Sequence, residues 1–431
     1  HLPPLRLQAL MRTAALDSSS PSASSGTPKP FRHGTHRVMS PEQTLERVRR
    51  LMPVLGITRI ANVTGLDTIG IPVVMVTRPN ARSLAVSQGK GLTLAAAKAS
   101  GVMESVEGYH AEHISLPLKL STYNELRFRS PVVDVAGLPR LSVSLFHPNW
   151  RMLWVEGVDL LGGGPLWVPF DMVHTDFTLP LPTGSGAFLM SSNGLASGNH
   201  VLEATLHGLC EVVERDATAL WHAGGERSQA ATRLDLGTVD DTACREVLET
   251  YARAGMAVGV WETTSDVGVP AFACYIVDRE SEPLRPVAVA GGMGCHPSRG
   301  VALLRALTEA AQSRLTRISG ARDDLHRKAY EEAREGVVAE RLRTRLREEV
   351  PVRRFQDAPH QDAETFEEDL EWVLAKVRAA GVTQVVVVDL TKPELGLPVV
   401  RVVVPGLEPT HEAPGYVPGP RALRAMRGDG T

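Results

Sequence analysis

Residues 199–215 have the sequence Asn-His-Val-Leu-Glu-Ala-Thr-Leu-His-Gly-Leu-Cys-Glu-Val-Val-Glu-Arg, which contains no proline. On a helix, at about 100° per residue, Glu203, Glu211 and Glu214 fall within one arc of roughly 80° together with His207. Like charges at this spacing repel one another, so a stable helix seldom places them on one face. The flanking positions are small or apolar, which predicts a largely buried helix whose carboxylates need cations.

A second segment has the same character. Ser100, Glu104 and Glu107 fall within roughly 60° of one another on a helix predicted over residues 93–112. Taken alone, a solvated face of a Glu-rich helix is the alternative explanation. The apolar neighbours of these acids favour burial over that alternative.

A third segment, residues 300–318, contains Glu309 and Gln312, which could complete a site with the other acids. Arg314 falls roughly 140° around this helix from Glu309, so packing, a salt bridge and a place in the site all stay open for it. Clustered carboxylate oxygens are ligands that suit Mg²⁺, and Mg²⁺ commonly accompanies nucleotide phosphates. The three segments together predict a magnesium and nucleotide site.

No phosphate loop of a known kind accompanies these acids, because neither GxxxxGK[ST] nor GxGxxG occurs. Gly89-Lys90-Gly91 lacks both the earlier glycine and the following Ser or Thr, and we expect Lys90 to contact phosphate at the entrance of a helix. The glycines of 162–164 and 184–186 are expected to form tight turns. A Walker-type NTPase is therefore excluded.

Other catalytic constellations are not indicated. His110 and His113 lack the HExxH spacing of zinc enzymes, which favours a surface pair. Cys210 falls on a different helix face from the carboxylates and is expected in the core. Cys295 adjoins His296 in sequence, a poor arrangement for a Cys–His ion pair, and no Gly-x-Ser-x-Gly motif is present.

Composition excludes further classes of protein. The chain of 431 residues carries 46 basic and 49 acidic side chains and is 5% aromatic, which disfavours a nucleic-acid partner. Its four cysteines include no CxxC pair, which fits a reducing cytoplasm better than a disulfide framework. The apolar runs are too short to cross a membrane. We expect a cytoplasmic protein with no membrane partner, either one large α/β enzyme or two to three domains.

Hydrophobic patterning predicts an α/β fold in which helices pack on mixed sheets. Helices are expected over 45–55, after the start signal Ser40-Pro41, over 201–223, and within the acidic stretch 327–380. β-branched runs predict strands at 57–64, 71–77, 131–135, 152–158, 271–277, 287–291, 384–390 and 398–404. The Ser-rich residues 1–36 and the Pro/Gly-rich residues 411–431 are predicted to form tails, the first of them disordered.

The three carboxylate segments resemble the ATP and magnesium signatures of YcaO proteins. The matching residues are Ser100-x3-Glu104-x2-Glu107, Asn199-x3-Glu203-x7-Glu211-x2-Glu214-Arg215 and Glu309-x2-Gln312, in the order and spacing of the family. The similarity also includes residues 88–92, 194–199 and 318–324. It implies a YcaO catalytic domain over residues 37–410, with an ATP-binding fold that has no Walker loop.

The resemblance also implies cofactors and site residues. ATP and Mg²⁺ are the implied cofactors. The Mg²⁺ ions would be held by Glu104, Glu107, Glu203 and Glu214, with Glu211 as a further ligand. Nucleotide phosphates would be contacted, or the acids ordered, by Lys90, Ser100, Asn199, Arg215 and Gln312, with Glu309 in the same site.

YcaO enzymes phosphorylate the oxygen of a peptide backbone amide, which becomes a leaving group for attack by a nucleophile. A Cys, Ser or Thr side chain gives an azoline, sulfide a thioamide, an amine an amidine and water a cleaved backbone. Residues 200–217, and the lack of an evident E1-like domain, look most like stand-alone members paired with TfuA proteins. The resemblance thus implies thioamide formation in a ribosomally made precursor peptide, with a TfuA-like or leader-binding partner and a homodimer left open.

Two departures from the family pattern bear on this expectation. Gly108 stands where the family usually has Arg, and so supplies no cation. Residues 414–420, Pro-Gly-Tyr-Val-Pro-Gly-Pro, precede a further basic stretch in place of the Pro-x-Pro-x-Pro terminus of azoline-forming members, which disfavours that product. A non-catalytic nucleotide-binding accessory protein is the alternative from another class, although the intact acids argue against it.

Overall fold

The computed structural model describes residues 26–280, 289–322, 324 and 336–428. Its helices are α1 Pro41–Arg49, α2 Leu94–Glu112, α3 Tyr123–Arg127, α4 Val201–Ala223, α5 Gly225–Ala230, α6 Thr242–Arg253, α7 Arg299–Ser319, α8 Gly336–Glu348, α9 Phe366–Ala379 and α10 Pro420–Arg427. Its strands are β1 Arg59–Asn62, β2 Val73–Thr77, β3 Val86–Lys90, β4 Leu118–Ser121, β5 Met152–Asp159, β6 Pro165–Pro169, β7 Leu195–Ser197, β8 Met256–Glu262, β9 Ala271–Asp278, β10 Val289–Cys295, β11 Val386–Asp389 and β12 Val399–Val403.

One order of elements occurs twice in the chain. The first unit is α1-β1-β2-β3-α2 and the second is α6-β8-β9-β10-α7, each with a three-stranded antiparallel sheet. The last helix of each unit packs on the last strand. These helices begin at Leu94 and Arg299, 205 residues apart, and the same offset relates Glu104 to Glu309. The two units therefore carry acids at equivalent positions.

Glycines in the last strands allow the helices to approach closely. A Cβ on Gly89 would lie 2.0 Å from the carbonyl oxygen of Ala97, and a Cβ on Gly292 would lie 2.3 Å from the backbone nitrogen of Ala310. No side chain fits in either place, so these positions require glycine. The close approach brings the polar face of each helix to the edge of its own sheet.

The third sheet supports α4. It has the strand order β4-β5-β11-β12-β7, with β6 also paired to β5, and every pairing is antiparallel. Alternate residues of β12 face opposite sides: Val400 and Val402 pack in the cluster that includes Leu202 of α4, whereas Val399 packs in the cluster that includes Val102 of α2. The sheet thus lies between the two helices whose acids were singled out from sequence.

The expected fold class is confirmed, since helices pack on sheets and all strand pairs in the described ranges are antiparallel. The predicted helices 93–112, 201–223 and 300–318 are present, as are the strands expected at 57–64, 71–77, 152–158, 271–277, 384–390 and 398–404. The strand predicted at 287–291 is present from Val289 onward; residues 287 and 288 lie outside the described ranges. Strands β3, β4, β6, β7 and β8 and helices α3, α5, α6 and α10 were missed.

Some predicted elements are wrong. At 131–135, Val132 forms only an isolated bridge to Trp167, and the chain continues into a single 3-10 turn. The first helix ends at Arg49 rather than at residue 55, and Pro53 lies in the turns that follow. The stretch 327–380 holds two helices separated by irregular chain, and its first residues, 327–335, lie outside the described ranges.

Both predicted tails contain packed residues. Lys29 forms a buried salt bridge of 2.6 Å with Asp369 of α9, so residues 26–36 belong to the folded body. Residues 1–25 lie outside the described ranges. At the other end, helix α10 is anchored by Arg421, which donates two hydrogen bonds of 2.8 Å to the buried carboxylate of Asp216. A buried ion pair is invisible in composition, which is why both segments read as tails.

Candidate nucleotide and metal site

The site lies where the two repeated units meet. Lys90, at the end of β3, donates to Oε2 of Glu309 on α7 at 2.6 Å. Nearby, Gln88 Oε1 accepts from Gln312 Nε2 at 3.3 Å and from Thr316 Oγ1 at 2.7 Å. Lys90 therefore lies at the end of a strand, whereas the sequence analysis predicted it at the entrance of a helix. Its ammonium group links the two units.

Glu104 and Glu309 are each held by the backbone of their own unit. Gln88 N–H donates to Glu104 Oε2 at 3.3 Å, and Met293 N–H donates to Glu309 Oε1 at 3.2 Å. In each case the donor lies sixteen residues before the acid, on the strand that the helix packs against. Carboxylates fixed by strand N–H groups keep a defined orientation while their remaining lone pairs stay available.

Helix α4 and the third sheet contribute the other acids. Glu107 of α2 accepts from Ser197 at 2.9 Å from the backbone nitrogen and 2.8 Å from the hydroxyl. Glu211 Oε1 accepts from the backbone N–H of Gly194 at 3.3 Å. Glu203 is buried and accepts from the backbone N–H groups of Val38 at 2.8 Å and Asn199 at 3.3 Å. The predicted acids of α2 and α4 are thus linked through residues 194–199.

Enclosure raises the pKa values of three acids of the site, Glu104, Glu107 and Glu214. Burial, and then the neighbouring charge of Glu104, raise the pKa of Glu107 to about 8. The pKa of Glu104 is raised to about 7, mainly because the surrounding protein desolvates its carboxylate, although the side chain remains open to water on one side. Burial and the charge of Glu309 raise the pKa of Glu214. Such shifts indicate negative charges that the protein alone does not neutralise.

The site also contains cations. Burial opposes the charge of Arg215, but Glu211, Glu214 and Glu309 outweigh it and raise the Arg215 pKa. Burial likewise works against the ionised form of Glu309, yet Lys90 and Arg215 lower its pKa below the ordinary value. Glu309 is therefore an ionised partner for Lys90, unlike the acids whose pKa values are raised.

The donor set fits Mg²⁺ and phosphate. In the described part of the chain, Glu104, Glu107, Glu211 and Glu214 have no salt bridge within 4.0 Å. Their oxygens do not form one compact cage: among described His, Cys, Asp and Glu residues, the group with all ligand atoms within 4.8 Å is His36, His296 and Asp369. Mg²⁺ commonly binds one or two protein carboxylates plus substrate phosphates, so separated acids suit metal ions that a nucleotide bridges.

The compact group of His36, His296 and Asp369 does not fit a metal ion. The ammonium of Lys29 already lies 2.6 Å from Asp369 Oδ2 and 3.5 Å from His36 Nδ1. His296 Nδ1 accepts from the N–H of Ser298 at 3.0 Å, so the neutral ring carries its proton on Nε2, which then has no lone pair for a metal. The group is a buried polar cluster around Lys29.

The remaining predicted residues take varied places. Ser100 is exposed on α2, one turn before Glu104. Asn199 donates from Nδ2 to Thr44 Oγ1 at 2.9 Å, while its buried Oδ1 has no hydrogen-bond partner among the described residues. Arg314 lies away from the acids, in buried salt bridges with Asp67 and Asp278. Asn199 thus offers an unused acceptor beside Glu203.

Two earlier expectations about single residues need correction or explanation. His110 is fully buried and hydrogen-bonds the carbonyl of Val106 at 2.7 Å, so the predicted surface pair with His113 is wrong. The space beside Gly108 is filled: a Cβ there would lie 2.9 Å from Nη1 of Arg78. Arg78 itself forms a salt bridge of 2.6 Å with Glu112. The guanidinium group of Arg78 therefore fills the space that a side chain at position 108 would need.

Sequence reasoning missed several residues of the site. Arg37 lies 3.8 Å from Glu203, and Arg305 Nη2 lies 2.6 Å from His207 Nδ1. Burial and then Arg305 hold the His207 pKa well below its usual value, so the neutral ring accepts this hydrogen bond. Arg305 lies one turn before Glu309 on α7, so helical spacing could have indicated that it belongs to the site. Arg37 gave no such signal, because the sequence analysis placed it at the boundary of a predicted tail.

Carboxylates without counterions, arranged around Lys90 and Arg215, define a site suited to divalent cations and phosphate. The sequence model for YcaO cyclodehydratase, ATP- and Mg²⁺-binding, matches residues 88–408. The chain belongs to the YcaO family. ATP and Mg²⁺, the predicted cofactors, are therefore confirmed for the family to which the chain belongs.

Relatives and solved structures agree with this membership. A protein from the tfuA 3′ region of Rhizobium leguminosarum bv. trifolii is 37% identical over 396 residues, 91% of this chain and 93% of the relative. A Methanothermobacter thermautotrophicus protein is 35% identical over 378 residues, 86% of this chain and 95% of the relative. The resemblance to stand-alone members associated with TfuA is thereby supported.

The fold also matches those of solved structures. YcaO from Methanopyrus kandleri, bound with AMPPCP and Mg²⁺, has a TM-score of 0.70 at 25% identity and covers 91% of this chain and 98% of its own. A heterocyclase in complex with substrate and cofactor has a TM-score of 0.71 at 24% identity. The match covers 90% of this chain and 55% of the heterocyclase. The second likeness shows the fold alone. No helix among the described residues has the length and apolarity to cross a membrane.

Proposed function

We propose that this chain is an ATP- and Mg²⁺-dependent enzyme that phosphorylates a backbone amide oxygen of a ribosomally made peptide, after which sulfide converts the amide to a thioamide. The observation that carries the proposal is the group of carboxylates without salt bridges, three of them with raised pKa values, around Lys90 and Arg215. A scaffold would gain nothing from that arrangement.

The residues divide into two groups. Glu104, Glu107, Glu203 and Glu214 would hold Mg²⁺, with Glu211 beside them; the bound ions would supply positive charge for the phosphates. Lys90, Arg215 and Gln312 would contact phosphate or fix the acids. Ser100, Asn199 and Glu309 would order this site, in which Asn199 Oδ1 is an unused acceptor and Glu309 positions Lys90.

The chemistry addresses a poor electrophile. Transfer of the γ-phosphoryl group breaks the bond between the γ-phosphorus and the ADP oxygen and forms a bond to the amide oxygen. Hydrosulfide adds to the amide carbon, and the carbon–oxygen bond then breaks to release phosphate. The amide oxygen leaves as part of phosphate, and the products are a thioamide, ADP and phosphate.

Thioamide formation is favoured by the 37% identical relative from a tfuA 3′ region, and a TfuA-like protein is the proposed partner. Azoline formation by cyclodehydration is the second candidate, because the family description names that reaction. The proposed dependence on ATP and the four free, buried cysteines support a cytoplasmic location for the reaction.

The test is mass spectrometry of the peptide encoded beside this chain's gene, after incubation with ATP, Mg²⁺ and sulfide, with and without the TfuA-like protein. A gain of about 16 mass units supports thioamidation, whereas a loss of about 18 supports an azoline. An unchanged peptide, with no ATP consumed, would favour a non-catalytic accessory protein. Glu104→Gln serves as the inactive control.

A further inference from the structure

Strand β10 forms one edge of its sheet, since within the described ranges it pairs only with β9. Thr263 N–H donates to the carbonyl of Ala271 at 2.8 Å, which fixes the hydrogen-bonding pattern between β8 and β9. The backbone groups of the odd-numbered residues of β9 therefore bond to β8, and those of its even-numbered residues bond to β10. In the register of β9 and β10, the odd-numbered residues of β10 therefore direct their backbone N–H and C=O groups outward.

Three of the four outward-facing residues each have one backbone group bound by the helix of the site, α7. Arg317 Nη1 donates to the carbonyl of Val289 at 2.7 Å, Met293 N–H donates to Glu309, and Arg305 Nη1 lies 3.5 Å from the carbonyl of Cys295. Gly291, in the middle, is half-buried, and its N–H and C=O have no partner among the described residues. One residue of the edge is left open for pairing.

The equivalent residue of the other repeated unit is buried. The residue 205 positions before Gly291 is Val86, on β3, whose exposure is 9%. Next to it, the outward N–H of Gln88 is taken by Glu104, as that of Met293 is taken by Glu309. Of the two equivalent positions, Gly291 is therefore the more accessible, and it lies two residues from the group that Glu309 holds beside Lys90.

We propose that the extended backbone of the peptide substrate pairs with Gly291 at the edge of β10. This inference rests on the proposed function and states how the substrate is held. An enzyme that modifies a backbone amide must position the backbone itself, and strand addition does so through main-chain hydrogen bonds. Pairing at Gly291 brings the neighbouring stretch of peptide to Met293, about 7 Å along the strand.

The same geometry leaves one peptide oxygen free. In a complete ladder, the N–H of Met293 would donate to a carbonyl of the added strand. Here that N–H donates to Glu309, whose other oxygen accepts from Lys90. The peptide carbonyl opposite Met293 consequently has no strand donor and lies beside the residues proposed to contact phosphate. The ladder is interrupted where the reacting oxygen must be accessible.

Two variants at Gly291 provide a matched test. A Cβ at this position would lie 2.7 Å from Cε1 of Tyr275, so Ala and Pro both require the same movement of that ring. Only Gly291→Pro removes the outward N–H, and proline is tolerated on edge strands. We expect Gly291→Pro to raise the KM for the peptide encoded beside the gene about tenfold relative to Gly291→Ala, with the KM for ATP equal in both.

Equal peptide KM values for the two variants would overturn the proposal. If Gly291→Pro instead changed the oligomeric state without changing the peptide KM, the proposal would also be overturned, and the edge would be a contact between copies of this chain. If either variant fails to fold, an amide-to-ester scan of the peptide with the wild-type enzyme replaces them. A rise in KM at one ester position supports strand pairing, and a flat scan contradicts it. A peptide that the wild-type enzyme leaves unmodified would overturn the proposed function, and this inference with it.

Discussion

Glu104 and Glu309 occupy equivalent positions in the two repeated units: each accepts a hydrogen bond from a strand N–H sixteen residues earlier, at 3.3 and 3.2 Å. Their charges differ. The pKa of Glu104 is raised to about 7 by the protein around it, whereas Lys90 and Arg215 overcome burial to lower that of Glu309. One acid of the pair is thus left for a cation from solution, and the other is used to hold Lys90.

Loss of an acid proposed to bind Mg²⁺ should abolish turnover without unfolding the protein. Glu104→Gln and Glu214→Gln keep the shape of the side chain but remove its charge, so we expect ATP turnover with peptide to fall on the order of 100-fold or more. Glu249→Gln, at an exposed position of α6, is the matched control. Full activity in either site variant, measured as phosphate release, would contradict the assignment of these acids.

The metal-free protein should lose stability as the pH rises. Burial first, and then Glu104, raise the folded pKa of Glu107 to about 8, above its ordinary value of 4.5 in an unfolded chain. Between these values the folded state binds more protons, so the stabilising contribution of protonated Glu107 is complete at low pH and is lost as the pH passes through about 8.

The comparison of wild type with Glu107→Gln isolates this effect. Between pH 5.5 and 8.5, without Mg²⁺, the melting temperature of the wild type should fall relative to that of the variant by on the order of 2 °C. Differential scanning calorimetry is the measurement. Parallel curves for the two proteins would show that Glu107 is not protonated in the folded metal-free state at neutral pH.

Lys90 should matter for nucleotide affinity more than for stability. It is part-exposed and pairs with Glu309, so Lys90→Met removes the proposed phosphate contact and leaves Glu309 without its closest cation. We expect the Kd for a non-hydrolysable ATP analogue with Mg²⁺ to rise about tenfold or more, by calorimetric titration. Lys119→Met, on β4, provides the control. Unchanged affinity in Lys90→Met would remove Lys90 from the site.

The buried pair Lys29–Asp369 should show that residues 26–36 belong to the fold. Both side chains are at most 1% exposed, so Lys29→Met leaves a buried carboxylate without its cation and should cost about 3–5 kcal/mol. The double variant Lys29→Met/Asp369→Leu should recover most of that loss. Urea denaturation measures all three proteins, and a loss below about 1 kcal/mol for the single variant would indicate that the segment is not anchored there.

The carboxylate helices were predictable because their signal is local. A period of 3.6 residues places Glu203, Glu211 and Glu214 on one face, and apolar neighbours indicate that this face is enclosed. The helix α4 observed at Val201–Ala223 matches the prediction. The assignment of these acids to one metal and nucleotide site came from their resemblance to the YcaO signatures, and it stays a proposal.

The remaining features depend on contacts distant in sequence. Strand β3 contains Gly89, which reads as a turn residue until helix α2 is packed against it. The Lys90–Glu309 contact spans 219 residues, and the Lys29–Asp369 pair spans 340. The repetition of the two units is carried by element order and by the offset between acids, and not by a short sequence period, so it was not recognised from the sequence.

The fate of the oxygen of the reacting amide tests the proposed activation by phosphorylation. The peptide encoded beside the gene is prepared with ¹⁸O in its backbone amides and incubated with enzyme, ATP, Mg²⁺ and sulfide, and the released phosphate is analysed by mass spectrometry. Because the proposed phosphorylation makes that oxygen part of the leaving group, we expect one ¹⁸O atom in the phosphate for each amide converted. Unlabelled phosphate released along with a modified peptide would contradict it.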